Sequence, residues 1–225
     1  MTNKIKELFW GLEKGSTKWS GYFDVYERYF NKFIGKSPRI LEIGVLGGGS
    51  IELWLKYFGE GTRVVATDVN PDAIKNAIAN NVKVYIGDQG DRKFWDSVKK
   101  IEEPFDIVID DGSHIMIHQI TTLECMFPHL KEGGVFVVED THTSYWPTPW
   151  GGTFRGANTL VEHAKRTTDI LNQQHFQGSP IMSECLETYK GLYSMSFFNS
   201  MVVLEKEKLK TFGITDNKEN LGRDL

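Results

Sequence analysis

The chain has 225 residues, 40% of them hydrophobic and 25% charged, with a formal net charge of −4. This suits one soluble globular domain, residues 1–225, and it excludes the basic footprint of a nucleic-acid binder. The polar start, Met1 to Leu8, excludes a signal peptide, and no apolar run approaches the roughly 20 residues a bilayer span needs.

Residues 2–11 and 19–34 read as helices, and residues 1–37 form an N-terminal cap. Residues 39–45 read as a buried strand, followed by a helix from Ser50 to Phe58 with apolar residues at 51, 54, 55 and 58. Residues 62–69 make a second strand, and Asn70-Pro71-Asp72 reads as a cap opening a helix to about Asn80. A third strand, Val82 to Ile86, precedes a helix over 91–100. The fourth strand, 105–110, leads to a helix from about Ile115 to Leu130. A tight turn at Lys131 to Gly134 opens the fifth strand, 134–139. Residues 157–173 read as a helix, then Tyr189–Asn199 and Met201–Glu205 as an antiparallel hairpin.

Five strands alternating with helices predict a doubly wound α/β fold. The added hairpin gives the layout of a class I methyltransferase: a Rossmann-like sheet of five parallel strands plus an antiparallel pair, helices on both faces. Residues 38–140 form the cofactor-binding core, 141–155 an acceptor loop, and 156–225 a C-terminal helix with edge strands. Cys125 and Cys185 lie far apart without metal-type spacing and read as free thiols of a cytoplasmic protein.

Open α/β folds hold ligands at the carboxyl ends of their strands. There the first strand enters Glu42-Ile43-Gly44-Val45-Leu46-Gly47-Gly48-Gly49-Ser50. Leu46 breaks the dinucleotide pattern G-x-G-x-x-G, and Glu42 suits a cationic ligand better than a pyrophosphate. S-adenosylmethionine, with its sulfonium and ammonium, fits this loop. Asp68, ending the second strand, would accept the ribose hydroxyls, and Asp88 would border the adenine with Gln89 beside it. Asp110 and Asp111 end the fourth strand, and Glu139 and Asp140 end the fifth. Neighbouring strands lie about 5 Å apart, so up to four carboxylates would converge and repel unless a cation sits among them. Oxygen donors favour magnesium, manganese or calcium over zinc.

The strings Val108-Ile109-Asp110-Asp111-Gly112-Ser113-His114, Phe127-Pro128-His129-Leu130, Val138-Glu139-Asp140 and Tyr145-Trp146-Pro147 resemble those of the metal-dependent macrolide sugar O-methyltransferases. These include the mycinamicin and demethylmacrocin enzymes, with the cephalosporin-type methyltransferases more distant. The resemblance implies Mg²⁺, or Mn²⁺ in its place, held by Asp111, Glu139 and Asp140. It implies His114 as the base, Asp110 on the cofactor side, and a homo-oligomer. The acceptor would be a small molecule with vicinal hydroxyls, a sugar or glycoside. Chelation would lower a hydroxyl pKa while the metal orients the acceptor. His142, Tyr145 and Trp146, on a loop rich in Pro and Gly, would meet it, as a stacking platform or lid with Trp150. Trp19 and Tyr22 stay open between core and platform. Lys14 to Lys18 reads either as a gate over the cofactor or as a plain polar loop. A catechol-type O-methyltransferase shares the same logic. A 2′-O RNA methyltransferase lacks the basic patch it needs, and a non-catalytic cofactor-binding module would have no need of the acidic cluster.

Overall fold

A computed structural model describes residues 3–77, 82–177 and 183–208. Seven strands form one sheet: β1 Arg39–Ile43, β2 Arg63–Asp68, β3 Val82–Ile86, β4 Phe105–Asp110, β5 Leu130–Glu139, β6 Leu192–Phe198 and β7 Met201–Lys206. Their order is β3-β2-β1-β4-β5-β7-β6. The first five run parallel, and β7 inserts antiparallel between β5 and β6. The expected topology is therefore present, including the hairpin at the edge.

Alternation along the strands builds two cores. On one face Ile40, Ile107, Ile109, Val137 and Val203 pack with Tyr26, Phe30, Trp54 and Phe58. These aromatics come from α2 (Tyr22–Phe30) and α3 (Gly49–Phe58), with α1 (Lys4–Trp10) on the same side. On the other face Leu41, Val65, Val108, Phe136 and Val202 meet Trp95, Val98, Leu123, Met126 and Leu160. Those residues lie on α5 (Arg92–Ile101), α6 (Met116–Met126) and α7 (Leu160–Thr167), while α4 (Ala73–Asn76) and α8 (Ser183–Thr188) are short.

Some boundaries differ from expectation. The second cap helix starts at Tyr22, leaving Trp19 outside it. Asn70 to Asp72 forms a turn that the Asn70 side chain closes on the Asp72 amide, so Pro71 precedes α4 rather than opening it. The predicted continuation to Asn80 lies outside the described residues from 78 onward. α6 ends at Met126, and residues 131–134 belong to β5 rather than to a turn. A register shift against β4 absorbs them, with Gly133 at φ 81° inside the irregular stretch. The helix expected over 157–173 divides into α7 and a 3₁₀ segment, Thr168–His175. The strand expected from Tyr189 begins at Leu192, because Tyr189 is buried beneath the sheet edge against Phe127.

Candidate functional site

The carboxyl ends of β1, β2, β4 and β5 open on a cleft of about 910 Å³. Gly44 leaves β1 with φ 91°, and a Cβ there would stand 2.2 Å from the Asp111 carbonyl oxygen. The first and fourth strand ends thus touch through backbone, which no side chain permits. Leu46 adopts φ 44° at the loop's apex, its side chain exposed, where the dinucleotide pattern has glycine. Gly44, Gly47, Ser50, Asp68, Asp88 and Gln89 all line the cleft. The Asp68 carboxylate accepts the amides of Val45 (2.9 Å) and Asn70 (2.8 Å), which ties the glycine loop to the end of β2.

Two expected cofactor residues do not line the cleft. Strand alternation sends Glu42 into the α3 face, where Trp54 Nε1 donates to it at 2.5 Å. Glu42 Oε1 has no partner, and burial pushes the group up to about 7 from the usual 4.5. Asp110 points to the opposite face and is fully buried, accepting from Gln89 Nε2 at 3.0 and 3.2 Å. Burial pushes it, too, up to about 7. The neutral form of each is therefore favoured by the fold. Gln89 relays this buried acid to the site, since its Oε1 accepts the Ser113 amide at 2.6 Å.

The Glu42 shift has a consequence for stability. The folded chain holds a proton that the unfolded chain releases between pH 4.5 and about 7. Stability should therefore fall as pH rises through that window. Glu42→Gln should remove Glu42's share of this dependence, leaving that of Asp110, and gain up to about 3 kcal/mol at pH 8. Urea unfolding midpoints from pH 5 to 8 for both proteins check it, and parallel profiles would contradict it.

At the other end of the cleft Asp111, His114 and Asp140 each offer one ligand atom, all within 4.8 Å of one another. His114 Nε2 lies 4.0 Å from Asp111 Oδ1 and 3.5 Å from Asp140 Oδ2, and its Nδ1 is buried without a partner. Both His114 (φ 56°) and Asp140 (φ 54°) hold left-handed backbone, a strain that concentrates at working sites. Thr143 Oγ1 fixes this arrangement by donating to the His114 carbonyl at 2.9 Å.

Glu139 does not join that set. Its side chain turns to the α2 face, accepting from Tyr26 OH at 2.5 Å and Lys18 Nζ at 2.8 Å. Lys18 Nζ also reaches Asp111 Oδ2 at 2.5 Å, and its side chain is 1% exposed. Burial alone would lower the ammonium's pKa, but the charges of Asp111 and Glu139 outweigh it and hold the group protonated. Burial and the Asp111 charge push Glu139 up. The four-carboxylate convergence expected from sequence is thus reduced twice: Asp110 faces away, and Lys18 already balances Glu139.

Lys18, expected only as the end of a gate or plain polar loop, thus pairs with two of the carboxylates, and Trp19 and Tyr22, open in the sequence, join it at the site. Trp19 Nε1 donates to Asp140 Oδ1 at 3.0 Å and Tyr22 OH donates to the same oxygen at 2.7 Å. Tyr22 also reaches the Ser200 carbonyl at the β6–β7 turn. The expected acceptor residues stand outside the cleft lining. His142 pairs with Ser200 Oγ and packs against Trp146 at 4.5 Å, and Trp146 packs against Trp150 at 5.1 Å. Tyr145 and Trp146 remain exposed; His142 stands between Trp146 and Trp19, 5.8 Å from the latter, while Tyr145 packs against Phe154 at 6.5 Å.

This sheet order, with a glycine loop after β1, an acid ending β2 and a charged cluster ending β4 and β5, is that of a class I methyltransferase. Residues 41–141 match a family model described as a methyltransferase domain. It is similar, as the motifs suggested, to sugar O-methyltransferases of natural-product glycosides. The mycinamicin VI 2''-O-methyltransferase of Micromonospora griseorubida is 38% identical over 199 residues, 84% of this chain and 49% of that protein. The 8-demethyl-8-alpha-L-rhamnosyl tetracenomycin-C 2'-O-methyltransferase of Streptomyces olivaceus is 33% identical, across 87% of this chain and 53% of that protein. Among solved structures, the MycE methyltransferase of the mycinamycin biosynthetic pathway, in complex with Mg and SAH, aligns with TM-score 0.78 and 28% identity. That alignment covers 92% of this chain and 54% of MycE. The chain spans about half the length of the curated relatives it matches. Among the described residues no helix is long and apolar enough to cross a membrane.

Proposed function

We propose that this chain is an S-adenosylmethionine- and Mg²⁺-dependent O-methyltransferase acting on a sugar hydroxyl of a glycoside or related natural product. The observation that carries it is a single cleft joining the Gly44–Ser50 loop and Asp68 to the Asp111, His114 and Asp140 donors. The relatives named above, which act on sugar hydroxyls, support the acceptor class.

The residues fit both groups. Asp68 is an acceptor-only carboxylate in the cleft, suited to ribose hydroxyls. Asp111 and Asp140 are hard oxygen donors, suited to Mg²⁺ or Mn²⁺, with the His114 imidazole beside them. Asp111 and Asp140 would hold the metal, with Glu139 as a third donor only if it leaves Lys18. When bound, the cofactor would supply the electrophilic methyl group and the metal would supply Lewis-acid activation of an acceptor hydroxyl. His114 then removes the acceptor proton at Nε2, the nitrogen facing both carboxylates. Trp19, Tyr145 and Trp146 are exposed aromatics on which a sugar would stack, with His142 packed against Trp146.

Calorimetric titration tests the metal assignment. Wild type should bind Mg²⁺, and Asp140→Asn should weaken that binding by about 10-fold or more while cofactor binding persists. Methyl transfer that persists after exhaustive chelation with EDTA would refute the metal's role. A diol screen of glycosides against catechols separates a sugar acceptor from an aromatic one.

A further inference from the structure

Residues 12–20 join α1 to α2 and wall the cleft along its length. At the cofactor end the Glu13 and Lys14 amides donate to the Glu52 carboxylate at 3.0 and 2.9 Å. Lys14 Nζ donates to the Asn76 carbonyl at 2.6 Å. The Gly15 carbonyl oxygen lies so close to the glycine loop that a Cβ on Gly47 or Gly49 would stand 2.7 or 2.5 Å from it. At the other end Lys18 takes Asp111 and Glu139, and Trp19 takes Asp140. One short segment therefore touches the cofactor loop and all three expected metal carboxylates. Among the described residues no other lysine or arginine pairs with those carboxylates.

We propose that Lys18 is a resident counter-ion with which a divalent cation competes, and that metal loading loosens the wall formed by residues 13–19. The inference rests on the metal reading above. The buried Glu139 carboxylate and the half-buried Asp111 carboxylate lie side by side, and in this fold the Lys18 ammonium is their shared positive partner. A divalent ion drawing on Asp111 or Glu139 brings two more positive charges to a place that already holds one. The Lys18 ammonium and Glu139 are themselves buried, so that repulsion is only partly screened by solvent. The ammonium sits on a flexible four-carbon stem and hydrates readily, so its withdrawal is the least disruptive relief. Withdrawal removes two of the three side-chain hydrogen bonds that pin the wall at its metal end. The metal therefore acts on the same segment that closes against the glycine loop, and by linkage whatever steadies that segment alters the metal's affinity.

The test is calorimetric titration of Mg²⁺ into wild type and Lys18→Met, together with amide hydrogen exchange over residues 12–20 of wild type with and without Mg²⁺. The variant should bind Mg²⁺ about 10-fold or more tightly, since a competing charge is gone and Glu139 is free to serve as a donor. In wild type, Mg²⁺ should speed exchange across residues 13–19. Equal or weaker binding by a folded Lys18→Met protein would overturn the proposal and make Lys18 a prop for the ligands. Should the variant not fold, the exchange measurement decides alone, and unchanged or slower exchange with Mg²⁺ overturns it. Failure of both proteins to bind Mg²⁺ would overturn the metal reading and this inference together. Binding by wild type without tightening in the variant overturns only the role of Lys18.

Discussion

His114→Asn is expected to lower kcat for methyl transfer by about 10²–10⁴-fold, the range for a lost general base, with the thermal midpoint essentially unmoved. Asparagine is the informative substitution because residue 114 holds φ 56°. Asparagine tolerates left-handed backbone, whereas alanine would add strain of its own. Little stability rides on the imidazole, since Nδ1 has no partner and Nε2 only approaches Asp111 and Asp140. Mg²⁺ titration of the same variant separates two roles for the ring. Retained metal affinity with collapsed kcat identifies a base, and a parallel loss of affinity identifies a ligand. An unchanged kcat removes His114 from the chemistry.

Gly44→Ala is expected to be the most damaging single substitution in the glycine loop, costing about 3 kcal/mol of stability and abolishing cofactor binding. Two effects add. An L-residue held at φ 91° is strained by about 1–2 kcal/mol. The new methyl group would meet the Asp111 carbonyl oxygen at 2.2 Å, backbone that cannot rotate away. Overpacking of that kind costs about 1–3 kcal/mol. Relief requires separating β1 from the end of β4, which pulls the glycine loop from Asp111. Urea unfolding and titration with S-adenosylhomocysteine measure both consequences. A variant as stable as wild type would show that the contact yields.

The parallel sheet was legible because buried strands read as short apolar runs ending in acids. Val135 to Val138 before Glu139 is the clearest, and the positions of Asp68, Asp111 and Asp140 followed from it. Side-chain direction was less legible. Asp110 and Asp111 are consecutive, so they must point to opposite faces, and only one enters the cleft. By the same alternation Glu42 and Glu139 share the face of Ile40 and Val137 and meet Trp54 and Tyr26. Lys18 was hidden for a different reason. Gly15-Ser16-Thr17-Lys18 has the composition of a solvated loop, and its burial depends on partners 93 and 121 positions away. No local pattern encodes such a contact. Trp19 and Tyr22 were undecided on the same ground, since both are committed by Asp140, 121 and 118 positions along the chain.

The insertion of β7 between β5 and β6 governs when the site exists during folding. Ser200, at the turn between β6 and β7, accepts from the Thr141 amide at 3.1 Å and from Tyr22 at 2.8 Å. The stretch that carries Asp140 is thus braced by residues 178 positions downstream of Tyr22. Closing contacts of such separation is slow and comes after local structure. A chain emerging from the ribosome has the glycine loop and both acid-tipped strands long before it has this brace. Metal competence is then expected late, when β7 docks, so binding of the metal rather than of the cofactor would report completion of the fold.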